Sequence, residues 1–366
     1  MPPTLLRRSA RGAAIASLAA LAACDLPSAA PIFQQTWIVP VDSVTVGVAD
    51  LVPDGVTLVA GTPPTLQVST PSANISTTLA DLCGEPECRT PFTVRAPTPA
   101  FRSPDGLLAA RIDFPTGVTS VTVIGGTFNL DITNNLGFDP LRPKGATGPY
   151  GIIIMSLTSG TATRTDTISG ATQSIANGAM TNLSLPLPTG VYSSRLDVAI
   201  AFDVPAGDSA TMNGSNGLGI AVSLQLLSLS QLTVEVVNEP VATGPTGFDL
   251  DGVDFGDQVE NGALLLTVDN PLTATAALNV VLDVPAQNGF GPVTISKAIN
   301  VPAQPTSTAT VLLSKAEIQS LLGKTGVTIR ATGVVNGTGV GSTVSVTPTS
   351  RITVHSQLRL TLNVGA

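Results

Sequence analysis

The tightest constraint in this chain is a period of two. Leu196, Val198, Ile200, Phe202 and Val204 alternate with Arg195, Asp197, Ala199, Ala201 and Asp203, and Phe128, Leu130 and Ile132 alternate with Asn129, Asp131 and Thr133. The same beat closes the chain, where Ile352, Val354, Leu358, Leu360, Leu362 and Val364 are set against Thr353, His355, Gln357, Arg359, Thr361 and Asn363. Successive side chains of a strand point to opposite faces, so such segments bury one face and solvate the other. That is the habit of antiparallel sheets packed as sandwiches; strands of a parallel sheet covered on both faces read as continuous apolar runs. Ile220, Val222, Leu224 and Leu226 begin a further strand whose phase slips at Leu227, which predicts a bulge or bend.

Apolar residues make up 43% of the chain and charged residues only 11%, while 35 glycines and 29 prolines are spread along its whole length. Ample core material broken this often reads as many short strands joined by turns. The expectation is an all-β protein of two tandem antiparallel β-sandwich domains, at 105–237 and 248–366. A Pro- and Gly-rich stretch at 238–247 is expected to link them, and an irregular β segment at 41–104 to precede them. One short helix is predicted near the end of the second domain. Ser314-Lys315-Ala316-Glu317 has capping-box spacing, Ile318, Leu321 and Leu322 supply an apolar face, and Gly323 is a natural stop.

The two β regions share a local pattern. Gly126, Phe128, Leu130, Ile132, Asn134 and Leu136 align with Gly262, Leu264, Leu266, Val268, Asn270 and Leu272 at a constant offset of 136, and Ile175, Leu185 and Leu187 align with Val301, Val311 and Leu313 at an offset of 126. Two copies of one unit are the natural reading. Within the second, a strand ending in Asn270-Pro271-Leu272, then Val301-Pro302-Ala303 and the strand Thr310-Val311-Leu312-Leu313, is similar to the water-stress domain of group-2 late embryogenesis abundant proteins. The resemblance covers roughly residues 260–345 and, more faintly, 124–206, where Asn134-Asn135 lacks the proline. It implies a small β-sandwich with a non-enzymatic role, and it brings no catalytic residues.

The chain begins as an export signal. Arg7, Arg8 and Arg11 form a positive region, Gly12 to Ala20 a small-residue apolar stretch too short to span a bilayer, and Leu21-Ala22-Ala23-Cys24 resembles the lipobox of bacterial lipoproteins. The resemblance implies cleavage after residue 23, acylation of Cys24, and an address in the bacterial cell envelope, lipid-anchored to the inner or outer membrane and facing the periplasm or the surface. Residues 24–40 are expected to be a tether, extended by Pro27, Pro31 and Pro40, with Trp37 either meeting a partner or stapling the tether to the first domain.

The formal net charge is −8, and the three leader arginines leave a still more acidic mature chain. A surface of that sign repels nucleic acid. Cys83 and Cys88 flank a polar loop and are expected to form a local disulfide in an oxidising envelope, with free thiols or a metal as the other readings. The densest acidic stretch holds Asp249, Asp251 and Asp254, a candidate for calcium, although Gly247 and Gln258 fall where an EF-hand loop needs its first and last ligands. The other reading of that stretch is a solvated edge or connector. His355, the only histidine, is phased to the solvated side of the last strand, so no histidine-based triad or zinc site is expected and no cofactor is called for. The functional expectation is a non-enzymatic structural or binding module with an envelope protein or glycan as partner. A carrier of lipid or another apolar ligand, using a cavity between sheets, is the alternative, and a hydrolase built on carboxylates alone ranks below both.

Overall fold

The computed structural model describes residues 33–248, 250, 255, 258–287, 289 and 291–364, the side chain of Asp42 excepted. The first sandwich is organised around β8 (Val118–Asn134), which lies between β11 (Ala179–Pro186) and β15 (Gly217–Glu235). The short β12 (Gly190–Ser193) extends β11's side, and the far edge of β15 is covered in turn by β4 (Ala73–Thr78) and β3 (Thr65–Val68), with β2 (Val56–Val59) beyond. Its second sheet runs β10 (Ala162–Ser169), β9 (Ile152–Ser159), β13 (Arg195–Val204), then β7 (Leu108–Asp113) and β6 (Phe101–Arg102). A two-strand ribbon of β5 (Val94–Pro97) and β14 (Ser209–Met212) hangs beside it. Along β13 the residues phased inward, Leu196 to Val204, are all buried, because this face meets Phe128 and Leu130 of the opposite sheet in one core. The expected slip is present: β15 loses register between Gln225 and Ser228, and Leu226 is turned out to solvent.

The second sandwich repeats this order. Its central strand β18 (Val259–Asp269) lies between β21 (Thr306–Leu313) and β24 (Arg351–Val364), and its other sheet runs β20 (Val293–Val301), β19 (Thr275–Val284), β22 (Val327–Asn336) and then β16 (Glu239–Ala242) and β17 (Thr246–Phe248). The repeat extends to register. Phe128 faces Leu185 and Leu224 in the first copy, as Leu264 faces Val311 and Leu358 in the second. The glycine of the pattern serves close approach in both: a Cβ at Gly126 would meet Leu227 Cα at 3.3 Å, and one at Gly262 would meet Ile318 Cδ1 at 2.7 Å and the Arg359 carbonyl at 2.8 Å.

Three boundaries differ from the expectation. The segment read as a tether at 24–40 is, from Phe33, the first half of β1 (Phe33–Gly47), an edge strand of the second sandwich paired along β24 from Phe33↔Val364 to Gly47↔Arg351. Trp37 packs edge-on against Phe255 at 5.1 Å between ring centres, so it staples the chain to the second sandwich and not to the first. The segment read as a linker at 238–247 contributes β16 and β17, and the irregular segment at 41–104 supplies edge strands to the first sandwich. Traffic runs the other way too: β23 (Thr343–Val346), deep in the second copy, pairs with the end of β15, and Val344 and Val346 join the first core. Local pattern could not reveal this, because an edge strand's partner is chosen by topology and not by its own alternation.

Besides the expected helix α2 (Lys315–Leu321), a second one was not foreseen, α1 (Leu79–Cys83), a single turn capped by Thr78. Helix α2 has the capping box read from its sequence: Glu317 N–H donates to Ser314 Oγ at 3.3 Å and Ser314 N–H to Glu317 Oε2 at 2.8 Å. The Lys297 ammonium, 2.8 Å from Glu317, and then the Ser314 amide hold this carboxyl below the ordinary glutamate range against the opposing effect of burial. A carboxylate with a lowered folded pKa stabilises above its unfolded pKa, and that stabilisation is lost as pH falls through the folded one. Glu317→Gln keeps the capping box but loses the charge, and is therefore expected to cost about 0.5–1 kcal/mol at neutral pH, with urea melts showing that cost fading below about pH 4. A fragment of residues 238–366 is expected to show no cooperative thermal transition by circular dichroism. Fusing residues 33–47 behind Val364 through a tight hairpin should restore one.

Candidate functional site

The inward face of the second sandwich is not closed. Between its sheets lies an apolar cavity of about 80 Å³, bounded by Leu266 and Val268 of β18, Ala274 and Ala276 at the start of β19, Val44 and Val46 of β1, and Ile352 and Val354 of β24. One hydrophobic core, built on Leu264, Leu282 and Leu360, ends on one side of it. The other core reaches in from the first sandwich through Leu272, Ala274 and Val335. Val268 and Val301, each at most 5% exposed, pack into neither. Ile352 and Val354, phased inward by the sequence, are only half-buried because their inward side looks into this volume.

The repeat explains the opening. In the first copy Asn134 ends β8 fully buried; its Nδ2 donates to the carbonyls of Phe138 and Ile175 at 2.8 and 2.7 Å, and its Oδ1 accepts from Leu136 N–H at 2.9 Å. In the second, Asn270 is 1% exposed and donates to the Ala274 carbonyl at 2.7 Å, the same four-residue reach. Ala274 thus stands where the first copy has Phe138, and Leu264, Val268 and Val301 stand for Phe128, Ile132 and Ile175. Phe128, Phe138 and Phe202 are buried in the first sandwich, whereas among the described residues no phenylalanine is buried in the second. Each of these replacements shortens a core side chain, and three of the shortened residues, Val268, Ala274 and Val301, line the cavity.

Two local signs mark the same turn. Asn270 Oδ1, buried and on the lining, has no hydrogen-bond partner among the described residues. Thr273 takes a left-handed φ of 52° where the first copy has Gly137 at 95°. A β-branched residue pays for that conformation in strain, of order 1–3 kcal/mol, and such strain gathers at functional positions.

The charge on the lining is already balanced. Arg330 Nε sits 3.1 Å from Asp283 Oδ2, and the Asp283 carboxyl is held below the ordinary aspartate range by the Thr294 hydroxyl first and Arg330 next, against burial. None of the lining residues is Asp, Glu, His or Cys. Outside, at the end of β18, His355 Nε2 lies 3.5 Å from Asp269 Oδ2 in a shallow exposed depression, in keeping with its solvated phase.

The other residues singled out in the sequence do not meet at this cavity. Cys24 lies outside the described residues, as do Asp249, Asp251 and Asp254. Between those acids Leu250 is buried and its N–H donates to the Lys324 carbonyl at 3.0 Å. Cys83 and Cys88 are bonded to each other at the end of α1, both buried in the first core. Among the described residues no group of three or more His, Cys, Asp or Glu is placed to hold a metal ion, and no helix is long and apolar enough to cross a membrane. The cavity itself was missed from sequence, although the aligned repeats carried its signal: the second copy lacks the phenylalanines of the first.

No family model matches the chain, and no curated protein does. Among solved structures it is similar to a protein of Parabacteroides distasonis taken to be secreted, at 11% identity and a TM-score of 0.33, over 89% of this chain and 99% of that one. It is also similar to the tandem CBM22-1–CBM22-2 domains of Paenibacillus barcinonensis Xyn10C, at 10% identity and a TM-score of 0.19 over 78% and 98% of the two chains. The structure of infectious bursal disease virus Gx strain matches at 12% identity and a TM-score of 0.22, over 93% and 73%. Likenesses this slight assign neither family nor function.

Thr273→Gly is expected to raise stability by about 1 kcal/mol in denaturant titration, by releasing the left-handed strain. Reducing the Cys83–Cys88 bond should lower it by about 2 kcal/mol, the effect of closing so short a loop.

Proposed function

We propose that this chain is a non-enzymatic binding module of the bacterial cell envelope, acylated at Cys24 and holding its sandwiches outside the inner membrane. The observation that carries the binding reading is the apolar cavity of the second sandwich, where Ala274 stands at the position of the first copy's buried Phe138. Acid–base and nucleophilic chemistry need a titratable group within hydrogen-bond reach of the reacting atom. The cavity offers hydroxyls, one amide and one ion-paired arginine, which suit holding a molecule better than transforming it. The resemblance of residues 260–345 to water-stress domains fits the same non-enzymatic role.

A protein or glycan partner has a surface to meet as well. On the outer face of β9 and β10, Ser156 pairs with Thr165 and Thr158 with Thr163, each at 3.1 Å, giving a flat, hydroxyl-rich edge. Carriage of an apolar ligand across the envelope is the second reading, and the cavity favours it. The deciding experiment is capture of the intact acylated protein from its own membranes in mild detergent, with mass spectrometry of everything retained. An apolar molecule near one per chain supports the carrier, and a protein or glycan at that ratio supports a docking module. Retention of neither sinks the binding reading. Cys24→Ser is expected to move the chain from the membrane fraction to the soluble envelope fraction with its fold, by circular dichroism, unchanged.

A further inference from the structure

The geometry points to the chemical class of the ligand: a short alkyl group carrying a neutral hydrogen-bond donor, such as a hydroxyl, taken into the cavity of the second sandwich with the donor on Asn270 Oδ1. This deepens the binding reading above and rests on it. Three observations converge on one turn. The lining is apolar where the first copy is filled, with Ala274 standing for Phe138. Asn270 Oδ1 is buried without a partner, whereas its counterpart Asn134 Oδ1 accepts from Leu136 N–H. Thr273 holds the strained conformation that glycine takes in the first copy.

Burying an acceptor without a donor costs on the order of 1–3 kcal/mol, so the site is completed by a ligand that brings one. A carboxylic acid in its ionised form brings none, since a carboxylate only accepts. Nor does the rim welcome an anion, because Arg330, the one cation on the lining, is held by Asp283. An ammonium would donate, but the apolar lining holds no carboxylate to pair its charge, so the head group is neutral. The body is small: about 80 Å³ is well under the roughly 150 Å³ of an apolar cavity that admits benzene. Two or three carbons fit such a space; a ring or a long chain does not.

The test is saturation-transfer difference NMR on the Cys24→Ser chain with 1-propanol, acetone and propanoate as probes. Transfer to 1-propanol is expected, with binding of acetone about tenfold weaker for want of the donor and none resolved for propanoate. Ala274→Phe restores the ring of the first copy; it should abolish the transfer and raise the melting temperature by about 2–4 °C. If that variant does not fold, Ala276→Leu narrows the same cavity and should weaken the transfer in the same order of probes. No transfer to 1-propanol, equal transfer in Ala274→Phe, or propanoate binding as well as 1-propanol would each overturn the assignment. A molecule of another class retained on capture from membranes would then leave the binding reading standing, so the two failures can be told apart.

Discussion

A sandwich exists because each sheet must hide one face, and here that burial is hung on one central strand in each copy. Strand β8 does it in the first sandwich and β18 in the second, each flanked on both edges and each ending in a buried asparagine that turns the chain. Phe128, Leu130 and Ile132 look inward from the first, Leu264, Leu266 and Val268 from the second. Other elements are arranged to cover those two faces. The glycines of both strands let neighbours approach closely, at Gly262 where a side chain would collide with the Arg359 carbonyl, and the asparagines satisfy carbonyls that the turn would otherwise bury bare.

Covering the faces has tied the two copies together. The second sandwich takes its edge strand from the chain's beginning, and β23 leaves it to extend the sheet of the first. The first core runs on into Leu272, Ala274 and Val335 without a break. A cut at the Pro- and Gly-rich stretch around 238–247 would therefore separate strands from their partners. The duplication is tandem in sequence and interleaved in space. Strand β1 joins distant parts of the second sandwich: Phe33 pairs with Val364 at one end, and Val44 and Val46 line the cavity toward the other.

The copies differ most where side-chain volume matters. Replacing phenylalanine with leucine or alanine in a packed interior leaves a void that neighbours only partly close, at about 24 cal/mol per Å³. A chain that keeps such a void, a strained threonine and an orphaned carbonyl oxygen at one turn has accepted three local costs together.

The sequence by itself determined the strands, their inward faces, the bulge near Leu227, the capped helix at Lys315–Leu321 and the repeat, because each is written in spacing over a few residues. It also carried, unread, Leu264 and Ala274 at the positions where the first copy has Phe128 and Phe138. Only the tertiary structure decided which strand pairs with which: that Phe33–Gly47 closes against Arg351–Val364, that 239–248 is sheet, and that Val344 and Val346 belong to the other sandwich. Pairing partners are set by long-range closure, and alternation is blind to them. The cavity belongs to the same class of fact, since an empty volume is the joint product of several distant side chains, each of which alone reads as an ordinary core residue.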